Sequence, residues 1–275
     1  MILETIAASS LARVKKAKEL QSQSELIQLI EKQMELDTSR KDGFYSFERM
    51  LQGQNSEIAF ICEVKKASPS KGIISEEFPY IKIAKEYEEA GASAISVLTE
   101  PEFFLGSDRY LREIKKEVKI PVLRKDFTVD EYQIYEAKLL GADAILLICT
   151  LLNTQTLKKY LTICKELGLS ALVEAHTKEE IESAMEAGAK IIGVNNRNLK
   201  TFEVDINNSI RLREYTPKEI IFVAESGIRD NNDIKALKQA GVNAVLIGET
   251  LMRSPNKKEM LSELKGLSKQ HTDSA

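Results

Sequence analysis

Apolar residues in this chain are grouped into short, continuous runs that are separated by longer amphipathic stretches. The runs are rich in Val, Ile, Leu and Ala and do not alternate with polar residues, which is typical of strands covered on both faces, as in a parallel sheet. They predict strands at 58–64, 94–98, 121–124, 144–149, 170–174, 191–194, 220–224 and 244–247. The stretches between them, such as 81–90, 131–140, 154–167 and 232–240, have the spacing of amphipathic helices. This alternation indicates either a closed (β/α)8 barrel or a doubly wound sheet.

An internal repeat favours the barrel. Each copy is a helix that ends at a Gly in the left-handed cap position and leads directly into a strand. The four glycines are Gly91, Gly141, Gly188 and Gly241, at intervals of 50, 47 and 53 residues, so one βα unit takes about half an interval. Neither a Gly-x-Gly-x-x-Gly loop nor a Walker-type loop follows a predicted strand, which argues against a Rossmann-like sheet.

The segment ahead of the first strand has a different character. Residues 3–20 and 24–36 predict two helices, and a short turn is predicted around 44–51. None of these has a strand partner. We therefore interpret residues 1–275 as one barrel domain in which 1–52 form an N-terminal helical extension and 268–275 a polar tail.

Composition narrows the class of protein. The chain of 275 residues is 43% hydrophobic and 29% charged, enough for a large core and a well-solvated surface. Its net charge of −3 is too close to neutral to indicate nucleic acid or an anionic membrane as the main partner. No apolar run approaches the roughly 20 residues of a membrane span, and the N-terminus does not resemble a signal peptide. The three cysteines lack metal-site spacing, so we expect a cytoplasmic protein without a metal.

Polar side chains recur where the predicted strands end. Glu63 and Lys65 close the first strand two residues apart, which places both side chains on one face. In barrels of this kind the active site lies at the carboxyl ends of the strands. Other strands end at Lys125, Glu174, Asn195, Glu225 and Glu249. One such residue could be an ordinary polar strand end, but their convergence on a single rim predicts an active site. The two histidines, His176 and His271, receive no catalytic role.

Two features predict a phosphate site. Ser226-Gly227 and Gly248-Glu249 follow the last two strands, where barrels often bind phosphate through backbone N–H groups. The loop Ser68–Gly72 adds hydroxyls and a cation. The alternative interpretation is a pair of ordinary Gly turns. For catalysis, the lysines and glutamates could supply general acids and a base, without a Ser or Cys nucleophile paired to a base.

Several longer motifs together resemble one family. They are Cys62–Gly72, Ser96–Glu100, Leu123–Phe127, Gly193–Leu199, Ala224–Ile228 and Ile247–Met252. In this order they resemble the indole-3-glycerol-phosphate synthase family of tryptophan biosynthesis, and the resemblance covers nearly the whole chain. It includes the N-terminal helices, which this family places over the barrel mouth. The resemblance implies a carbon–carbon lyase that acts without a cofactor on 1-(2-carboxyphenylamino)-1-deoxyribulose 5-phosphate. Ring closure, loss of CO2 and loss of water would yield indole-3-glycerol phosphate.

The resemblance also implies roles for individual residues. Lys125 would be the general acid at the ribulose carbonyl, Glu174 the base for dehydration, and Lys65 the acid for the departing hydroxyl. Glu63 and Asn195 would position the substrate and complete the catalytic set. Implied substrate-binding residues are Arg197 near the carboxylate, Phe104, Phe127 and Leu246 around the aromatic ring, Glu225 and Ser226 on the ribulose chain, and Ser68, Gly227, Gly248 and Glu249 at the phosphate.

The chain departs from this pattern at two positions. Ala67 stands where some members have a phosphate-binding lysine, and Glu249 where some have a serine. Because a carboxylate would repel phosphate, we expect only the backbone N–H of Glu249 to be used. The alternatives are another phosphate-binding barrel enzyme, such as phosphoribosylanthranilate isomerase, and a non-catalytic barrel subunit. The expected partner is a small sugar phosphate, and no protein partner is indicated.

Overall fold

The continuous apolar runs form the strands of a closed barrel. The computed structural model describes residues 2–36, 46–52, 57–198 and 200–267. The strands are β1 (Ala59–Val64), β2 (Ala67–Ser68), β3 (Gly72–Ile73), β4 (Ala94–Leu98), β5 (Val122–Lys125), β6 (Ala144–Ile148), β7 (Ser170–Ala175), β8 (Ile191–Asn195), β9 (Ile221–Glu225) and β10 (Ala244–Ile247). The helices are α1 (Ile2–Leu20), α2 (Gln23–Leu36), α3 (Ser46–Leu51), α4 (Tyr80–Glu89), α5 (Asp108–Glu117), α6 (Tyr132–Leu140), α7 (Thr154–Glu166), α8 (Lys178–Ala187), α9 (Asn207–Arg213), α10 (Asn231–Gln239), α11 (Glu249–Arg253) and α12 (Lys257–Leu264).

The barrel is formed by β1 and β4 to β10. Each strand pairs in parallel with its neighbours in sequence, and β1 closes the ring by pairing with β10. In that closing pair Ile61 lies opposite Leu246, and on its other side Ile61 lies opposite Ala94. The predicted (β/α)8 barrel is confirmed. The short strands β2 and β3 form an antiparallel hairpin beside the barrel, in a stretch that the sequence predicts as a polar loop.

Two hydrophobic cores explain why the strands are apolar on both faces. One core lies between the sheet and the helices, where residues such as Ile95, Val173 and Val245 are buried. The other fills the inside of the barrel and contains residues such as Leu123 and Leu172. Because successive side chains of a strand point to opposite faces, a strand between two cores must be apolar throughout.

The glycine repeat has the conformation that the sequence predicts. Gly91, Gly141, Gly188 and Gly241 have φ values of +80°, +88°, +92° and +80°. Residues with a Cβ adopt this left-handed region at a cost, whereas Gly adopts it freely. Each glycine therefore ends its helix and turns the chain into β4, β6, β8 or β10.

The N-terminal segment contacts both ends of the barrel. The first helix, α1, lies at the mouth, where Arg13 donates to the Asp126 carboxylate at 2.8 Å just beyond β5. The third helix, α3, lies at the opposite end. Its Phe47 and Leu51 are 0% exposed and pack inside the barrel against the first residues of strands, such as Ala59. The predicted polar tail, including His271, lies outside the described residues.

Two features are absent from the described ranges. Among those residues, no helix is both long enough and apolar enough to cross a membrane. In the same part of the chain, no group of three or more His, Cys, Asp or Glu side chains is arranged to hold a metal ion.

Candidate active site

A cavity of about 590 Å³ opens at the carboxyl ends of the barrel strands. Every residue that the sequence assigns to the site lines it: Glu63, Lys65, Ser68, Phe104, Lys125, Phe127, Glu174, Asn195, Arg197, Glu225, Ser226, Gly227, Leu246, Gly248 and Glu249. Ile2, Leu3 and Ile6 of α1 line it as well. The cavity is therefore bounded by barrel strands, by the loops that follow them and by the first helix.

The Lys125 ammonium group lies among carboxylates. This last residue of β5 has its Nζ 3.2 Å from Glu225 Oε2 and 3.6 Å from Glu174 Oε2. Burial alone would lower the pKa of Lys125, but the charges of Glu225 and Glu174 outweigh burial and raise it. The site thus holds a fixed positive charge on a group that can also donate a proton.

Glu63 and Lys65 form a second charge pair. Lys65 Nζ lies 2.5 Å from Glu63 Oε1. Burial would raise the pKa of Glu63, but the ammonium groups of Lys65 and Lys125 outweigh it and lower that pKa. A Cβ at Gly248 would lie 2.4 Å from Glu63 Oε1 and 2.8 Å from Lys65 Nζ. Glycine at this position therefore leaves room for the pair beside the end of β10 without a shift of either side chain.

Glu174 and Asn195 meet at the ends of β7 and β8. The Asn195 side-chain amide donates to Glu174 Oε1 at 3.2 Å, and its carbonyl accepts from the Arg197 backbone N–H at 3.0 Å. Both functional groups of the amide are thus used inside the protein. The contact holds Oε1 of Glu174, the carboxylate oxygen that does not face Lys125.

Glu225, the last residue of β9, is 1% exposed. Burial raises the pKa of Glu225 to about 7, and the nearby Glu174 charge adds to this shift although Lys125 opposes it. The carboxyl group fits because the neighbouring strand carries Gly193, where a Cβ would lie 2.2 Å from Glu225 Oε1. This carboxyl group can therefore carry a proton near neutral pH.

An apolar slot borders these charges. The rings of Phe104 and Phe127 lie with their centroids 5.9 Å apart, and Leu246 lines the same cavity. The turn that carries Phe104 is held by Glu100, which accepts from the backbone N–H of Phe103 at 2.7 Å and of Phe104 at 3.0 Å. A flat apolar group can enter beside the buried charges.

The other end of the cavity is rich in cations. Glu249 lies between Lys71 Nζ at 3.2 Å, Arg253 Nε at 3.2 Å and Arg197 Nη2 at 3.6 Å. Burial would raise the pKa of Glu249, but the hydrogen bond and charge of Lys71 and of Arg253 lower it. The side chain thus lines the cavity as a neutralised carboxylate, and the expected use of only its backbone N–H stays a prediction.

Comparisons with known proteins place the chain in a family. Residues 3–264 match the family model described as indole-3-glycerol phosphate synthase. The chain belongs to the indole-3-glycerol phosphate synthase family. A relative from Ruminiclostridium cellulolyticum with that name is 60% identical and aligns over 97% of this chain and 99% of its own length. Another from Endomicrobium trichonymphae is 57% identical over 96% of this chain and all of its own length.

Solved structures of other proteins share the fold. A 3-hexulose-6-phosphate synthase from Salmonella typhimurium has a TM-score of 0.62 at 14% identity, covering 76% of this chain and 98% of its own. A thiamine phosphate pyrophosphorylase from Pyrococcus furiosus has a TM-score of 0.56 at 16% identity, covering 78% and 96%. At such low identity the likeness concerns the barrel alone.

Further residues contact the site beyond those named from the sequence, among them Arg253, His176 and Lys71, which the sequence gives only as the cation of the Ser68–Gly72 loop. Lys71 and Arg253 bind Glu249, and His176 contacts Glu174. Arg253 could have been found, because it lies four residues after Glu249, the spacing at which opposite charges pair on a helix. The contact of Lys71 depends on how separate elements pack together, whereas His176 lies two residues after Glu174, a spacing that places both side chains on one face of an extended strand.

Proposed function

We propose that this chain converts 1-(2-carboxyphenylamino)-1-deoxyribulose 5-phosphate to indole-3-glycerol phosphate by ring closure, decarboxylation and dehydration. The observation that carries the proposal is the buried Lys125 ammonium group, which lies within 3.6 Å of two carboxylates at the mouth of a barrel of this family. The adjoining apolar slot suits the aryl ring, and the cation-rich end suits the phosphate.

Ring closure requires stabilisation of a developing alkoxide. As the aryl carbon attacks the ribulose carbonyl, negative charge grows on the carbonyl oxygen. An ammonium group held in a water-poor cavity stabilises that charge and can protonate it. Lys125 suits this role because its carboxylate neighbours keep it charged and hold it in place.

Dehydration requires a base and an acid. Loss of CO2 restores the aromaticity of the aryl ring. Water then leaves as a proton is removed from the newly formed ring. Glu174 is the proposed base, because Asn195 leaves its other oxygen facing Lys125 and the cavity. Lys65 is the proposed acid for the departing hydroxyl, and Glu63 beside it supplies compensating charge at 2.5 Å.

The remaining residues would hold the substrate. Phe104, Phe127 and Leu246 would contact the aryl ring, Arg197 its carboxylate, and Glu225 with Ser226 the ribulose hydroxyls. The phosphate would bind near Ser68, Gly227, Gly248 and Glu249. Ser226 has a φ of +68°, which is unfavourable for a residue with a Cβ, so this turn carries backbone strain of the kind found at functional sites. A cytoplasmic location and a single domain over 1–275 remain predictions from the sequence.

The test is a fluorescence assay of indole-3-glycerol phosphate formation by the purified full chain, without added metal or cofactor. Lys125→Ala should lower kcat by about 100-fold or more. Lys158→Ala, a surface change on α7, is the matched control and should leave turnover unchanged. Circular dichroism would show that both variants fold. A Lys125→Ala variant within a few-fold of the parent would contradict the assigned role, and an inactive parent would contradict the proposed reaction.

A further inference from the structure

One partly buried histidine adjoins the site without lining its cavity. His176 follows β7 directly, and its side chain is 17% exposed. Its Nε2 lies 3.4 Å from Glu174 Oε1, and its Nδ1 lies 3.4 Å from Glu180 Oε2 in the first turn of α8. The imidazole therefore lies between two carboxylates, one of them the proposed base.

The chemistry of the three groups selects one protonation state. An ionised carboxylate only accepts hydrogen bonds, whereas a neutral imidazole has one N–H and one lone pair. A neutral His176 would direct its lone pair at one of the two carboxylates, which is repulsive. The doubly protonated imidazolium attracts both carboxylates through its charge, and the two contacts are ion pairs and not hydrogen bonds. Two carboxylates at equal distances therefore favour the charged form.

The outer carboxylate is fixed by other contacts. Glu180 accepts from the backbone N–H of His176 at 2.6 Å and from the Thr150 hydroxyl at 2.6 Å. These bonds anchor it to the end of β7 and to the loop after β6. Glu174, in contrast, has its Oε1 held by Asn195 alone apart from His176, among the residues that the structure describes.

We propose that His176 is a positioning residue that, as an imidazolium, ties the Glu174 carboxylate to the anchored Glu180. The inference rests on the proposed function, in which Glu174 is the base for dehydration. By fixing one oxygen of Glu174, the bridge keeps the other directed toward Lys125 and the cavity. The bridge thereby holds the Glu174 carboxylate, which removes the proton, in a fixed position relative to the β7–α8 junction.

The surroundings of His176 determine how the bridge depends on pH. Burial would lower the pKa of His176, but Glu180, Glu174 and the more distant Glu225 raise it above its ordinary value of 6.5. The neighbouring Cys149 thiol remains neutral because burial raises its pKa to about 12.

The bridge is therefore complete below pH 6.5 and is lost as pH rises through the raised pKa. Loss of the bridge should lower kcat at alkaline pH and so contribute to the alkaline limb of the pH profile.

Nuclear magnetic resonance of the full chain, labelled with ¹⁵N in the histidine rings, tests the bridge without requiring turnover. The chain has two histidines, and His176→Gln assigns their signals. We expect His176 to carry protons on both nitrogens at pH 6.5 and to titrate above that value, and Glu180→Gln should lower its pKa. A singly protonated ring at pH 6.5, or a titration unchanged by Glu180→Gln, would overturn the proposal.

Kinetics test the consequence for the proposed base. His176→Gln should lower kcat about tenfold with KM within about twofold, and should remove the part of the alkaline limb that follows the titration of His176. Glu182→Gln on the exposed face of α8 is the control, because Glu182 pairs with Lys178 and does not contact the bridge. An unchanged pH profile in His176→Gln would contradict the inference. An inactive parent with an intact imidazolium signal would contradict the proposed function alone.

Discussion

At the scale of the residue, the site is defined by a balance of charge. Lys65 and Lys125 face Glu63, Glu174 and Glu225, so two ammonium groups are shared among three buried carboxyl groups. Charge left without compensation in a water-poor cavity is unfavourable, and protonation of one carboxyl group relieves it. The raised pKa of Glu225, about 7, identifies the group that takes this proton.

This assignment predicts how stability depends on pH. The pKa of Glu225 rises from 4.5 in the unfolded chain to about 7 in the fold, so its contribution is fully present below pH 4.5 and lost as pH rises through 7. Glu225→Gln removes this dependence because the amide stays neutral. The free energy of unfolding, measured in urea, should therefore increase in the variant relative to the parent by on the order of 3 kcal/mol between pH 5 and 8.

Glu214→Gln at an exposed position outside the cavity is the control for that measurement. The same Glu225 variant should lose activity, since the carboxyl group lines the cavity beside Lys125. A stability difference that does not change between pH 5 and 8 would show that Glu225 is ionised throughout.

Glu174→Gln tests the division between ring closure and dehydration. The amide keeps the shape of the side chain and can still contact Asn195, but it cannot accept the proton that is removed from the ring. We expect the reaction to stall after decarboxylation, so that CO2 is released in a single turnover while the indole product forms at least about 100-fold more slowly. Rapid-quench analysis would separate the two. Indole formation at the parental rate would exclude Glu174 as the base.

At the scale of the element, the β2–β3 hairpin brings a cation to the cation-rich end of the cavity. Lys71, beside the hairpin turn, contacts Glu249 at the start of α11 across 3.2 Å. The pair is partly exposed, so it contributes little to stability. Its position instead suits a contact with the substrate phosphate.

Lys71→Met should therefore affect binding more than turnover. The change keeps the length of the side chain and removes its charge, so we expect KM to rise about three- to tenfold while kcat stays within about twofold. Added salt should narrow the difference, because it screens a partly exposed charge. Lys82→Met on the outer face of α4, where Lys82 pairs with Glu86, is the control. An unchanged KM would place the phosphate away from the hairpin.

The elements also differ in how well the sequence predicts them. Strands between two cores are continuous apolar runs in the sequence, and the left-handed glycines mark where helices end. Because parallel strands end at one rim, the residues that follow them can be assigned to a common cavity from the chain order alone. The hairpin has no such signal, since strands of two residues have no periodicity. The contact between His176 and Glu180 also depends on the path of the chain from β7 into α8.

At the scale of the whole molecule, the N-terminal segment divides into two parts with different contacts. Leu3 and Ile6 of α1 line the cavity, and Arg13 ties the helix to Asp126 at the rim. In contrast, Phe47 of α3 is completely buried inside the far end of the barrel. The first part should therefore serve binding, and the second should serve folding.

A chain that begins at residue 43 separates these roles, because it lacks α1 and α2 but retains α3. We expect it to unfold cooperatively at a reduced midpoint, with KM raised at least about tenfold because the cavity loses one wall. Phe47→Ala in the full chain should affect folding more than binding. We expect it to lower the free energy of unfolding by about 3–5 kcal/mol with a smaller change in KM. Urea denaturation and steady-state kinetics on both proteins decide between the outcomes. If the shortened chain is unfolded, α1 and α2 belong to the folding core, and the barrel does not form without the helix that lies over its mouth.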